Sequence, residues 1–215
     1  MRKIKLSDYV AEFLSVNEIE YVFGIIGSAN AHLFDSIYRK NDLNLICMHH
    51  EQACIMAAHG YYMQSGKMAA VLVTAGAGTT NALTGVVGAW ADSVPMLIIS
   101  GQEATKQFNN KNISRMIGIQ GVFTESIYES CTKRVRTCKS IDETINELDK
   151  CLEISKSGRF GPCMIDIPID LQGSKLNYEK KISKISIHQK ALLDHSQILQ
   201  IKELANQIKN SEKPL

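Results

Sequence analysis

The chain has 215 residues, 45% of them hydrophobic and 21% charged. That is enough for one domain with a sizeable core, built without disulfides or metals, and the beginning of another. The 24 Lys and Arg nearly balance the 22 Asp and Glu, a net charge of +2 that argues against a nucleic-acid or membrane-surface role. No apolar run approaches the roughly 18 residues of a membrane span. The start, Met1-Arg-Lys-Ile-Lys-Leu-Ser-Asp8, lacks the apolar stretch and cleavage site of a secretory leader. Cys47, Cys54, Cys131, Cys138, Cys151 and Cys163 form no C-x-x-C pair and read as reduced, mostly buried thiols of a cytoplasmic protein.

In chain order, Ser7 and Asp8 are placed to cap a helix carrying Val10, Phe13 and Leu14 at helical spacing. Residues 21–25 read as a short buried strand, followed by a helix over 29–38. A second strand over 43–48 precedes a helix over 51–64. A third strand over 68–74 ends at a glycine turn before a helix over 79–91, and a fourth covers 94–100. Ser140-Ile-Asp-Glu143 is a capping-box pattern opening a helix to about 157, with Ile141, Ile145, Leu148 and Leu152 on one face. Residues 163–167 form a last apolar strand. Continuous apolar strands between helices predict an α/β fold, a doubly wound parallel sheet flanked by helices.

The charge changes along the chain. Residues 1–173 hold 16 basic and 18 acidic residues, whereas 174–215 hold 8 Lys and 4 acids, with Tyr178 as the one aromatic. The shift predicts a domain over 1–173, an exposed connection over 174–194, and an amphipathic helix over 196–210 that begins another unit. Ile198, Leu199, Ile201, Leu204 and Ile208 give that helix its apolar side.

In parallel sheets, sites lie at the carboxyl ends of the strands. Residues 24–30, 49–52, 74–81 and 101–103 occupy such places, and 109–121 is a long irregular loop. Thr74-Ala-Gly-Ala-Gly-Thr-Thr-Asn81 can present backbone N–H groups to a ligand at a helix start, or be a tight turn without one. It is neither a P-loop nor a dinucleotide fingerprint, since no Gly-Lys-Ser/Thr follows and Asn81 stands where a third glycine belongs. His50-Glu51 is not a zinc motif, because Cys54 replaces the second histidine. Glu51 either complements a helix dipole or, buried against the apolar stretch 53–58, exchanges protons near neutral pH. The residues alone stop at a ligand-binding α/β domain with one notable glutamate.

Taken together, Val22-Phe-Gly-Ile-Ile-Gly27, His50-Glu-Gln52, Gly60-Tyr61, Thr74–Asn81, Asp92-Ser-Val-Pro-Met-Leu-Ile-Ile-Ser-Gly101 and Gly158-Arg-Phe-Gly-Pro-Cys-Met-Ile-Asp-Ile-Pro168 resemble the pyrimidine-binding domain of thiamine-diphosphate enzymes, acetolactate synthase type. The resemblance runs in register over roughly residues 4–171. It implies that Glu51 bonds N1′ of the cofactor's aminopyrimidine and that Thr74, Gly76, Ala77 and Asn81 pack on the ring. It also implies that Gln120 reaches the reacting centre, and that Ile26, Gly27 and Ser28 face the thiazolium and a 2-keto acid substrate such as pyruvate. Departures cluster near the substrate: Ile26-Gly27-Ser28 replaces the family's Pro-Gly-Gly, and Ile119-Gln120-Gly121 its Phe-Gln-Glu. Residues 24–29 look more like sulfoacetaldehyde acetyltransferases.

In such enzymes a Gly-Asp-Gly…Asn motif of a separate domain holds the diphosphate through Mg²⁺, and no Gly-Asp-Gly occurs in these 215 residues. The expected partner is therefore the diphosphate-binding domain of a second subunit, in a homodimer or homotetramer. FAD, held largely by a central domain in some acetolactate synthases, is a further candidate cofactor. The expectation is a truncated enzyme, inactive alone, with 195–215 the first helix of that central domain. The alternatives are the natural small subunit of a split 2-keto acid decarboxylase and a non-catalytic remnant that binds a partner.

Overall fold

A computed structural model describes residues 2–108, 115–178, 182–185 and 194–212. Six strands form one parallel sheet in the order β3-β2-β4-β5-β7-β6: β3 (Asn44–Cys47), β2 (Tyr21–Gly24), β4 (Ala70–Val73), β5 (Leu97–Gln102), β7 (Cys163–Pro168) and β6 (Arg134–Thr137). The central strands β4, β5 and β7 are buried along their whole length, as strands covered on both faces must be. Their side chains alternate between two cores. Ala70, Leu72, Leu97 and Ile99 meet α1 (Leu6–Val16), α2 (Ala31–Tyr38) and α6 (Ile141–Ser155). Val71, Val73, Ile98 and Met164 meet α3 (Glu51–Ser65), α4 (Ala77–Ala91) and α5 (Thr124–Tyr128). The doubly wound α/β architecture expected from the sequence is thus present.

The sequence reading missed several elements. β1 (Arg2–Lys5) pairs antiparallel with β8 (Lys175–Tyr178). The stretch expected as exposed connection therefore begins with a strand, and Ile182 beyond it is buried. Residues 179–181 and 186–193 of that stretch, like 109–114 of the long loop, lie outside the described residues. β6 escaped notice because Arg-Val-Arg-Thr carries little apolar pattern. It is held at the sheet's edge by ion pairs, Arg134 gripping the buried Glu147 of α6 at 2.5 and 2.8 Å. α5 and α7 (Ile169–Gly173) are too short to show periodicity.

Helix starts differ by a few residues. Lys5, not Ser7 or Asp8, caps α1; Ser7 is buried inside the helix and its hydroxyl accepts from Ser36. The Ser140 cap holds, with its hydroxyl accepting from the Glu143 amide at 3.1 Å, while the Glu143 carboxylate reaches the Lys139 amide. α8 (His195–Asn210) is capped by Asp194, and Ile198, Leu199, Ile201, Leu204 and Ile208 are all exposed.

Candidate functional site

The carboxyl ends of β2, β3 and β4 open onto one shallow region. After β2, Gly27 leads into a 3₁₀ turn (Ser28–Asn30). The fully buried Asn30 ties this loop down, accepting from the Gly27 amide at 2.8 Å and donating to the Ile25 carbonyl at 3.0 Å. A Cβ on Gly27 would meet the Thr74 side chain at 2.6 Å, so only glycine lets the first loop rest against the end of β4. The Thr74 hydroxyl in turn accepts from the Ala29 amide. Ile26 projects outward, 60% exposed.

After β3, His50 caps α3 through Nδ1, which accepts from the Gln52 amide, and Glu51 is the helix's first residue. Its carboxylate is half-buried and accepts from Asn81 Nδ2 at 2.6 Å. The Asn81 amide also lies 3.4 Å from His50 Nε2. Asn81 stands one turn into α4, whose cap is Gly76 with φ 69° and ψ −116°, a conformation in which an L side chain is strained. Gly78, packed on Thr74, leaves the Glu51 Oε1 atom 3.3 Å from where a Cβ would stand. Of the three glycines at this site, Gly78 is the one that leaves space beside the carboxylate, and Ala77 is exposed at the start of α4.

Gln120 arrives from the loop after β5. Its side-chain Nε2 donates to Ser28 Oγ at 3.1 Å, its backbone N–H to Glu103 Oε1 at 3.1 Å, and its carbonyl sits against Gly76 so closely that a Cβ there would lie 1.9 Å away. The structure thus brings Gly27, Ser28, Glu51, Thr74, Gly76, Ala77, Asn81 and Gln120 to one end of the sheet, with Ile26 at its rim. Sequence reasoning missed Glu103 and Gln102 as supports of the Gln120 turn, and Asp166 behind them. Gln102 and Glu103 fell in the strand-end stretch 101–103 without a role assigned, and the signal for Asp166 was its being the lone charge in Cys163–Pro168. Burial pushes the Asp166 carboxyl up to about 6, opposed by hydrogen bonds that include those from Gln102 and Thr137. Close by Glu51, burial and the Glu51 charge push the Cys54 thiol up to about 12, which leaves it unreactive.

Residues 4–126 match the family described as thiamine pyrophosphate enzyme, N-terminal TPP binding domain. The chain belongs to that family. It is an N-terminal, pyrimidine-binding domain of acetolactate synthase type. It is 34% identical to the acetolactate synthase large subunit of Haemophilus influenzae over 83% of this chain and 30% of that protein. It is 31% identical to a probable acetolactate synthase large subunit of Methanocaldococcus jannaschii over 99% of this chain and 35% of that protein. The Lactococcus lactis acetolactate synthase large subunit is 30% identical over 100% of this chain and 37% of its own length. The chain therefore spans about a third of the length of the curated relatives it matches. Among the described residues no helix is long and apolar enough to cross a membrane, and no group of three or more His, Cys, Asp or Glu is placed to hold a metal ion.

Proposed function

We propose that this chain forms the pyrimidine-binding half of a thiamine-diphosphate site acting on a 2-keto acid such as pyruvate, by acetolactate synthase-like decarboxylation and carboligation. The observation that carries the reading is the Glu51–Asn81 bond beside the glycine-cleared space. One carboxylate oxygen is fixed by Asn81, and the other faces the gap left by Gly78. That donor set fits an aminopyrimidine edge, which offers a ring nitrogen able to share a proton with a carboxyl group.

When bound, the cofactor supplies a nucleophilic carbon and a sink for the electrons released as the keto acid loses CO₂. Glu51 would hold the proton at the pyrimidine's ring nitrogen, with Asn81 keeping the carboxylate from rotating away. Thr74, Gly76 and Ala77 would line the turn that supports the ring. Gln120, steadied by Ser28, presents its amide to the substrate, and Ile26 and Gly27 cover the same side and exclude water.

In this reading residues 1–173 are the pyrimidine domain, 174–194 a linker, and 195–215 the first helix of a central domain. The chain is inactive until a second subunit's diphosphate domain, with its Mg²⁺, closes the site. Exposed Met56 and Met63 on α3 and Val87 and Trp90 on α4 support such a partner, because an apolar face beside a site calls for cover. FAD would belong to the central domain. All six cysteines are free, which accords with a cytoplasmic location. The test is CO₂ release from pyruvate by the holoenzyme that contains this chain. Release that requires both thiamine diphosphate and this chain is expected; none from pyruvate or any other 2-keto acid would contradict the reading.

A further inference from the structure

Behind Gln120 lies a polar cluster inside an otherwise apolar sheet. Asp166 of β7 has no accessible surface, and its neighbours along the strand are apolar. Its Oδ2 accepts from Gln102 Nε2 of β5 and from Thr137 Oγ1 of β6, each at 3.1 Å, while Oδ1 has no hydrogen-bond partner among the described residues. A buried carboxylate destabilises a fold that a leucine or isoleucine would serve as well, so its presence calls for another reason.

We propose that Asp166 is a positioning residue for Gln120, acting through the side-chain amide of Gln102. An ionised carboxylate only accepts hydrogen bonds, so it dictates that the NH₂ end of the Gln102 amide faces it. That leaves Gln102 Oε1 pointing the other way, where it accepts from the Glu103 N–H at 3.0 Å. The same Nε2 also reaches the Val122 carbonyl, at 3.2 Å, just past the Gln120 turn. Glu103 then receives the Gln120 N–H.

Two glycines make this chain of contacts tight. A Cβ on Gly121 would stand 2.5 Å from Gln102 Oε1, and one on Gly118 would stand 2.6 Å from the Glu103 carboxylate. The turn itself is closed by reciprocal backbone bonds between Ile117 and Gly121, at 2.9 and 2.8 Å. If the Gln102 amide flipped, an oxygen would face the Val122 carbonyl and an NH₂ would face the Glu103 N–H, and both bonds would be lost. Asp166 holds the amide in the one orientation that fits the turn.

This inference rests on the reading that Gln120 acts at the reacting centre. Its test uses the holoenzyme that contains this chain, with thiamine diphosphate, Mg²⁺ and pyruvate. Asp166→Leu should lower kcat by about ten- to a hundred-fold, with KM and cofactor affinity within about two-fold of wild type, as expected of a misplaced group rather than a lost binding contact. Backbone hydrogen exchange should quicken over 115–123 and stay unchanged in the strands of the sheet. Should the leucine variant not fold, Gln102→Glu keeps the shape and, read at alkaline pH where the two carboxyls no longer share a proton, sets oxygen against oxygen and should show the same pattern. Adding Asp166→Asn to Gln102→Glu restores a donor–acceptor pair in reverse and should recover a large part of kcat, which a merely structural loss would not. Wild-type kcat and unchanged exchange over 115–123 in Gln102→Glu would overturn the proposal. So would a loss that spreads through the sheet, weakens cofactor affinity equally and is not recovered by the swap. A wild-type holoenzyme without turnover would sink the cofactor reading instead, while exchange over 115–123 would still decide the role of Asp166.

Discussion

The two faces of the sheet are finished differently. On one, α1, α2 and α6 are amphipathic. Leu6, Phe13, Leu33, Ile37, Leu148 and Leu152 are buried, and the outer sides carry ion pairs such as Arg39 with Asp35 and Lys40 with Glu12. On the other face α3 and α4 show no such division, and their outer sides mix apolar residues with polar ones such as Gln64, Thr80 and Asn81. They lock together where Gly85 abuts Ile55, yet Met56, Met63, Val87 and Trp90 remain exposed. Helices of the first kind are made to meet water; helices of the second kind are made to be covered. The candidate site opens between the starts of α3 and α4, on the uncovered face. The difference teaches where the proposed partner would act: the face that carries the candidate site is the one that leaves large apolar side chains in solvent.

The closed face should be the more sensitive to a single change. Arg134→Ala leaves Glu147, whose side chain is 5% exposed, without its bidentate partner but still paired with Lys150 at 3.0 Å, and should cost about 1–3 kcal/mol at pH 7. The hydrogen bonds from Arg134 hold the Glu147 carboxyl below the usual carboxylate range. The stabilisation from that pair is therefore present above the unfolded-state value of about 4.3 and is lost as the pH falls through the lower folded value. Urea unfolding of wild type and variant at several pH values checks this; the gap should be largest at neutral pH and shrink in acid.

The open face should behave in the opposite way. Met63→Glu with Val87→Glu should change the stability of this chain by less than about 0.5 kcal/mol per site, because both side chains already face solvent. The same pair should weaken binding to the proposed partner subunit by about ten-fold or more, read by analytical ultracentrifugation of the complex. A large loss of stability in the isolated chain with unchanged assembly would remove the contrast between the faces.

How much of this was legible in the sequence follows the same division. The central strands and α6 announce themselves, since burial on both faces writes continuous apolar runs and one buried helix face writes a 3.6-residue period. β1, β6 and β8 do not, because short edge strands held by backbone pairing and charged side chains carry no such signal. The site was partly visible. Glycines at 27, 76 and 78 and Glu51 before an apolar helix marked it, and resemblance to a family joined them. The support behind Gln120 was not visible, because Asp166, Gln102 and Glu103 meet only when β5, β7 and the 117–121 turn are placed side by side. No spacing along the chain encodes that meeting.

Glu51 is the residue on which the proposed chemistry turns. The deciding measurement is the rate of proton exchange at C2 of thiamine diphosphate in the holoenzyme, followed by NMR after acid quench, for wild type and Glu51→Gln. A glutamine keeps the shape but cannot share the ring-nitrogen proton, so exchange should fall by about a hundred-fold or more while the cofactor stays bound. Exchange at the wild-type rate in that variant would contradict the role assigned to Glu51, and with it the proposed chemistry of the site.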